Sequence, residues 1–183
     1  MPANQKVLVV SATPEEAQHV PDGLRVIITG VGKVPAASAV ARELAGDPAI
    51  TEVVNIGSCG ALHDHLEGLH VVSRVLNHDL SADALRAFGY DPQEWLELGD
   101  GDVRLATGDV FVTDPVVRAH LAEVADLVDM EGYAVAWACR QAGVPVRLVK
   151  HVSDKADEAS MDWPELIDHS AQALGEWLVA KLG

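Results

Sequence analysis

Carboxylic acids dominate the positions at which this chain could do chemistry. Glu15 and Glu16 follow the small-residue run Ser11-Ala12-Thr13-Pro14, Glu131 opens an apolar stretch after Met130, and Asp154 stands in Ser153-Asp154-Lys155-Ala156-Asp157. Acids placed at separate points of one site can divide acid and base work, one delivering a proton while another orients or deprotonates a nucleophile. Each also has a plain structural alternative. Asp154 suits a helix N-cap, Glu16 and Glu131 suit the first turn of a helix where the dipole favours negative charge, and Met130 suits a core.

Other clusters fail on spacing. Thr29-Gly30-Val31-Gly32-Lys33 lacks the glycine and the hydroxyl residue of a P-loop, with Ile27 and Val34 in those places, and Pro35 stands where a dinucleotide fingerprint needs a third glycine. His63, His65 and His70 with Asp64 and Glu67 read as an exposed turn rather than a metal site, since nothing in their spacing enforces tetrahedral geometry. Cys59 reads as a small packed residue rather than a nucleophile. Neither a metal nor a cofactor is implied.

The elements that must position the acids alternate between strand and helix. Lys6–Ser11, Leu24–Gly30, Thr51–Ile56, Gly68–Leu76 and Pro145–Val152 read as strands; Lys33–Ala45, Glu131–Ala142 and Trp163–Leu182 read as helices. Leu127-Val128 reads as a strand stub. Thr51–Ile56 is expected to run into a loop, Gly57-Ser58-Cys59-Gly60, whose small residues let a ligand approach the backbone and make Ser58 and Gly60 candidate binding residues. Residues 77–101 read as a polar lid or interface segment with two helical fragments, and 102–113 as two short strands, before Pro115 opens a helix to about Val124. The alternation implies an α/β domain with a helix-covered sheet.

With 183 residues, 49% of them hydrophobic, the chain suffices for one domain with a sizeable core. Its 28 acidic against 13 basic side chains, a formal charge of −15, disfavour nucleic acid and anionic membrane as partners and leave a small neutral or cationic molecule. Two distant cysteines, no signal-like apolar core and no membrane-length apolar run point to the cytoplasm.

Taken together, Ser11–Glu16, Thr29–Val34, Asn55–Gly60, Thr107–Val112, Asp129-Met130-Glu131-Gly132 and Val152–Asp157 resemble, in order, type and position, the nucleoside phosphorylase/nucleosidase superfamily. Within it they look most like the methylthioadenosine/S-adenosylhomocysteine nucleosidases. The resemblance implies a single three-layer α/β domain over 1–183, a central mixed sheet flanked by helices. It implies Asp154 as the acid that protonates the leaving purine, expected at the buried end of an apolar strand, and Glu16, by register from Ser11-Ala12, as the residue acting on water. Glu131 would hold ribose hydroxyls, Met130 would pack on the sugar, Phe111 would stack on the base, the main chain of Val112 would read the purine edge and Ser153 would help place Asp154. Phe88, in Ala87-Phe88-Gly89-Tyr90, resembles a 5′-pocket residue often supplied by a neighbouring subunit, so a homodimer is expected.

Such a set fits the reaction. A purine leaves as a poor anion unless a ring nitrogen is protonated, and the sugar passes through a cationic state that carboxylates stabilise. Phosphorylases of the superfamily place an arginine just before the Gly-Ser-Cys-Gly segment and another after the first strand; here Asn55 and Pro14-Glu15-Glu16 stand there, favouring water over phosphate. The Gly-Ser-Cys-Gly-Ala segment itself is nearer the phosphorylase form, so a phosphate-dependent phosphorylase and a non-catalytic nucleoside-binding protein stay open as alternatives. The link from Glu16 to the second strand is shorter than in typical relatives.

Overall fold

Strand β1 (Val7–Ser11) is buried along its whole length, and its side chains alternate between two cores. A computed structural model describes residues 6–157 and 163–182 of the chain. On one face Leu8 and Val10 join Val53, Leu148 and the helices α1 (Lys33–Gly46) and α4 (Gly132–Ala142), which pack on each other. On the other face Val7 and Val9 join Val54, Val149 and the long helix α5 (Trp163–Leu182) through Leu174 and Leu178. A strand buried on both faces is why the run Val7–Val10 carries no polar alternation.

The remaining strands are β2 (Arg25–Ile28), β3 (Glu52–Ala61), β4 (Leu69–Asn77), β5 (Trp95–Glu97), β6 (Val103–Thr107), β7 (Leu127–Asp129) and β8 (Val146–Asp154); the short helices are α2 (Ala82–Ala87) and α3 (Pro115–Ala122). The order β2-β1-β3-β7-β6-β4-β5 is mixed, and β8 pairs with both β3 and β4. Strands β3, β8, β4, β6 and β7 therefore close a ring of pairings, parallel between β3 and β8, β4 and β6, and β6 and β7, and antiparallel between β3 and β7 and between β4 and β8. This is the mixed, helix-flanked α/β sheet expected.

Three details differ from the sequence reading. Residues 57–60 are strand, not loop: β3 continues to Ala61 because β8 pairs with it through Gly60↔Asp154, with a register shift at Cys59/Gly60, while β7 pairs with Gly60 and Ala61. Residues 102–113 hold one strand rather than two, because the pairings of β6 end at Thr107, and 110–113 run as irregular chain. Between 77 and 101 there is one helix, α2, and the strand β5.

Candidate functional site

The C-terminal ends of β1, β3, β7 and β8 converge on a cavity of about 250 Å³ whose wall carries Glu16, Asp129, Glu131 and Asp154. Among the described residues lining it there is no lysine, arginine or histidine. The turn after β1 delivers Glu16, which is buried, whereas Glu15 beside it is exposed, so the choice between the two neighbours is made by orientation. Glu16 Oε1 accepts hydrogen bonds from the Ser58 amide at 2.7 Å and the Ser58 hydroxyl at 2.9 Å, and Oε2 accepts one from the Ser11 hydroxyl at 3.3 Å.

The glycines of β3 make room for these acids. A Cβ at Gly57 would lie 3.2 Å from both Glu16 Oε1 and Lys150 Nζ, and one at Gly60 would lie 2.9 Å from Ala156 Cβ and 3.0 Å from Asp154 Oδ1. The segment read as a loop is thus strand whose two glycines leave space for neighbouring side chains. Cys59 between them is buried, and burial raises its thiol well above the usual value, which fits a packed residue rather than a nucleophile.

Asp154 ends β8. Ser153 Oγ donates to its Oδ2 at 2.7 Å and the Ala156 amide donates to its Oδ1 at 2.8 Å. It is half-buried rather than enclosed, and it is not the cap of α5, which begins nine residues later. Ser153 thus orients one oxygen of Asp154 and the Ala156 amide the other.

Glu131 occupies the N-cap position of α4 without capping it. Asp129 and Thr107 take that work: Asp129 Oδ2 accepts from the Gly132 amide at 2.9 Å and Thr107 Oγ1 accepts from the Tyr133 amide at 2.9 Å. Glu131 is left to turn its Oε1 to the Gly32 amide, 2.7 Å away, at the N-terminus of α1, where Gly32 has the left-handed φ of 100° that glycine tolerates. Burial first, and then the Asp129 carboxylate, push the Glu131 carboxyl up to about 7 against the opposing pull of Lys150 and the Gly32 amide.

Beneath the acids lies a residue the sequence reading missed. Lys150, on β8, is 1% exposed and bonds Asp129 Oδ2 at 2.8 Å, while Asp129 Oδ1 accepts from the Thr107 hydroxyl at 2.6 Å. Burial opposes the lysine's charge, but Asp129, Glu131 and Glu16 more than offset it and hold its pKa above the usual value. The available signal was a lone lysine inside the apolar strand Leu148-Val149-Lys150, a position that requires a buried partner.

The other candidates divide between wall and surface. Ser58, Gly60, Met130, Phe111 and Val112 line the cavity with Ser153, Phe111 being 45% exposed at its mouth and Val112 buried. Phe88, just after α2, does not line it; it is 78% exposed on the surface. Asn55 is buried and donates to the Val10 carbonyl at 3.1 Å, so the place of a phosphate-binding arginine is taken by a residue tying β3 to β1. Among the described residues no group of His, Cys, Asp and Glu is arranged to hold a metal, and His70 instead pairs with Asp102 at 2.7 Å.

Comparison with known proteins identifies the family and the fold. The family model of the phosphorylase superfamily matches residues 20–180, which leaves Glu16 just outside the matched range. A 5'-methylthioadenosine/S-adenosylhomocysteine nucleosidase of Shewanella denitrificans is 33% identical, over 75% of this chain and 72% of the relative, and that of Shewanella oneidensis is 33% identical over 75% and 70%. The fold superposes on the Helicobacter pylori 5'-methylthioadenosine/S-adenosylhomocysteine nucleosidase with a TM-score of 0.83 at 23% identity, covering 97% of each chain. It also matches the Helicobacter pylori futalosine hydrolase, with a TM-score of 0.83, 23% identity and 96% of each chain covered. The S-adenosylhomocysteine nucleosidase of Streptococcus pyogenes aligns at 26% identity with a TM-score of 0.78, over 96% of this chain and 97% of the other. The chain belongs to the phosphorylase superfamily.

Proposed function

We propose that this protein hydrolyses the N-glycosidic bond of a purine nucleoside, of the methylthioadenosine, S-adenosylhomocysteine or futalosine kind, to free base and a ribosyl product. The observation that carries this reading is a cavity with four carboxyl side chains and, among its described lining, no cation. A phosphate nucleophile would meet like charge there, whereas a neutral water would be oriented by it. The names of the nucleosidase relatives support the same substrate class.

In this mechanism Asp154 gives its proton to N7 of the purine as the C1′–N9 bond breaks and its electron pair passes to the base. Water adds to C1′ from the other face and its proton passes to Glu16, while Glu131, fixed through Gly32, holds ribose hydroxyls. Glu16 lies beside Gly57 and Asp154 beside Gly60, at separate points along β3, so the two acids serve different parts of the substrate. Phe111 stacks on the base, the main chain of Val112 reads its edge, and Met130 packs on the sugar.

Two further parts of the reading concern setting. Val31, Val110 and Phe111 are exposed apolar residues around the mouth, and Phe88 and Tyr90 are exposed elsewhere; a homodimer in which Phe88 serves the neighbouring site accounts for both groups. The buried free cysteines Cys59 and Cys139 suit the reducing cytoplasm, and among the described residues no helix is long and apolar enough to cross a membrane.

The test is incubation of the purified protein with a panel of purine nucleosides, with and without phosphate, following free base and sugar product. Base release independent of phosphate is expected. Phosphate-dependent release with ribose 1-phosphate as product makes the protein a phosphorylase, and nucleoside binding without release makes it a binding protein.

A further inference from the structure

The polar groups that hold the base-side wall of the cavity lie outside it. Residues 109–113 form no helix or strand, yet they carry Val110, Phe111 and Val112 into the site. Among the described residues, every hydrogen bond and ion pair made by residues 109–113 is made by Asp109. Its amide donates to Asp79 Oδ2 at 2.9 Å, its Oδ1 accepts from the Lys33 amide at 2.8 Å, and its Oδ2 lies 3.7 Å from Lys33 Nζ. The Lys33 ammonium also bonds Asp79 Oδ1 and, at 2.9 Å, Asn77 Oδ1.

We infer that Lys33 is a positioning residue that fixes the base-binding segment 109–112, acting through Asp79 and Asp109. This inference deepens the nucleosidase reading and rests on it for the role of Phe111 and Val112. Lys33 lies at the start of α1, directly after Gly32, so two successive amides of one helix end hold the two sides of the site: Gly32 holds Glu131 on the ribose side and Lys33 holds Asp109 on the base side. The ammonium then ties the turn after β4, through Asn77 and Asp79, to the same point. With side chains only 18% and 26% exposed, Lys33 and Asp79 are partly withdrawn from solvent, unlike a surface ion pair that water would screen. Gly108, one residue earlier, sets the approach: a Cβ there would lie 2.2 Å from His78 Nε2, so the segment leaves β6 pressed against the turn that bears Asp79. Removing the ammonium leaves Asp79 without its cation and Asp109 held only by the Lys33 amide and by an unanchored Asp79, which loosens the base wall, while Glu131, Glu16 and Asp154 keep every hydrogen bond described above.

The test compares Lys33→Met, Lys33→Arg and the double variant Lys33→Met/Asp79→Asn with the wild type by amide hydrogen exchange of a peptide covering 109–112 and by steady-state kinetics on a purine nucleoside. In Lys33→Met, exchange at the Asp109 amide, among the described residues the one amide of 109–112 that donates a hydrogen bond, is expected to accelerate about tenfold. KM is expected to rise roughly five- to tenfold while kcat changes less than about twofold. Lys33→Arg is expected to restore most of both, and the double variant to be no worse than Lys33→Met, as coupled partners require. Unchanged exchange in the 109–112 peptide, a loss confined to kcat, or additive effects in the double variant would overturn the inference. If the wild type cleaves no nucleoside, the proposed function falls and the exchange measurement still decides the role of Lys33.

Discussion

Replacing Glu131 with glutamine is expected to stabilise the protein at neutral and alkaline pH while disabling it. In the folded chain the carboxyl is pushed up to about 7 from an ordinary 4.5 by burial and by Asp129. A folded-state value above the unfolded one means that the native state keeps its proton longer, so stability falls as pH rises between the two values. Below about pH 4.5 the penalty is absent; above about pH 7 it is complete. At ~1.4 kcal/mol per unit the full penalty is about 3 kcal/mol. Glutamine retains an oxygen for the Gly32 amide and carries no charge, so the variant loses the penalty and not the hydrogen bond. The assay is urea or thermal unfolding of both proteins from pH 5 to pH 9. At pH 5 the two should differ by less than about 1 kcal/mol, and at pH 8 the variant should melt higher by nearly the full penalty, each kcal/mol being worth ~2–4 °C in a chain of this size. Parallel stability curves across that range would refute the electrostatic account of Glu131. A kcat/KM as high as the wild type's would refute its role at the ribose.

Five substitutions test the rest of the site. Asp154→Asn should lower kcat by roughly 10²–10⁴-fold in a base-release assay with little change in melting temperature, since its partners Ser153 and Ala156 remain. Glu16→Gln should lose at least about 10²-fold, whereas Glu15→Gln, on the exposed neighbour, should stay within twofold of wild type by the same assay. Gly60→Ala, whose Cβ would lie 2.9 Å from Ala156 and 3.0 Å from Asp154, should displace the acid and cut activity by about tenfold or more, measured as kcat/KM. Lys150→Met leaves Asp129 buried without its cation and should cost about 3–5 kcal/mol in urea unfolding at pH 7.

The sheet and the acids were legible in the sequence for different reasons. Apolar runs such as Val7–Val10 and the alanine-rich helix after Lys33 are local signals, and the structure places those elements as expected. Gly57–Gly60 was misread because glycine ordinarily breaks a strand; here the missing side chains admit Glu16, Lys150 and Asp154, contacts that lie 41 to 94 residues away and leave no trace in a local window. The same distance hid Lys150, whose partner Asp129 belongs to another strand. Residues 110–112 look like strand by composition, but no neighbour is available once β6 has ended, so their apolar side chains serve the cavity instead. Glu131 could be read as a cap or as a ligand of ribose, and the cap is excluded by Asp129 and Thr107, which occupy the amides it would have taken.

The ring of β3, β8, β4, β6 and β7 also has a consequence for how the chain is made. Strand β8 wedges between β3 and β4 from the last quarter of the sequence, so a growing chain on the ribosome holds two unsatisfied strand borders until residue 154 has emerged. Long-range closure of this kind is slow and exposes aggregation-prone edges in the meantime. The strand that seals the ring is the one that carries Asp154, and it also lays Lys150 beneath the other acids. Synthesis therefore delivers Asp154, the proposed proton donor, and the keystone of the barrel in one step, and a chain arrested before it has neither.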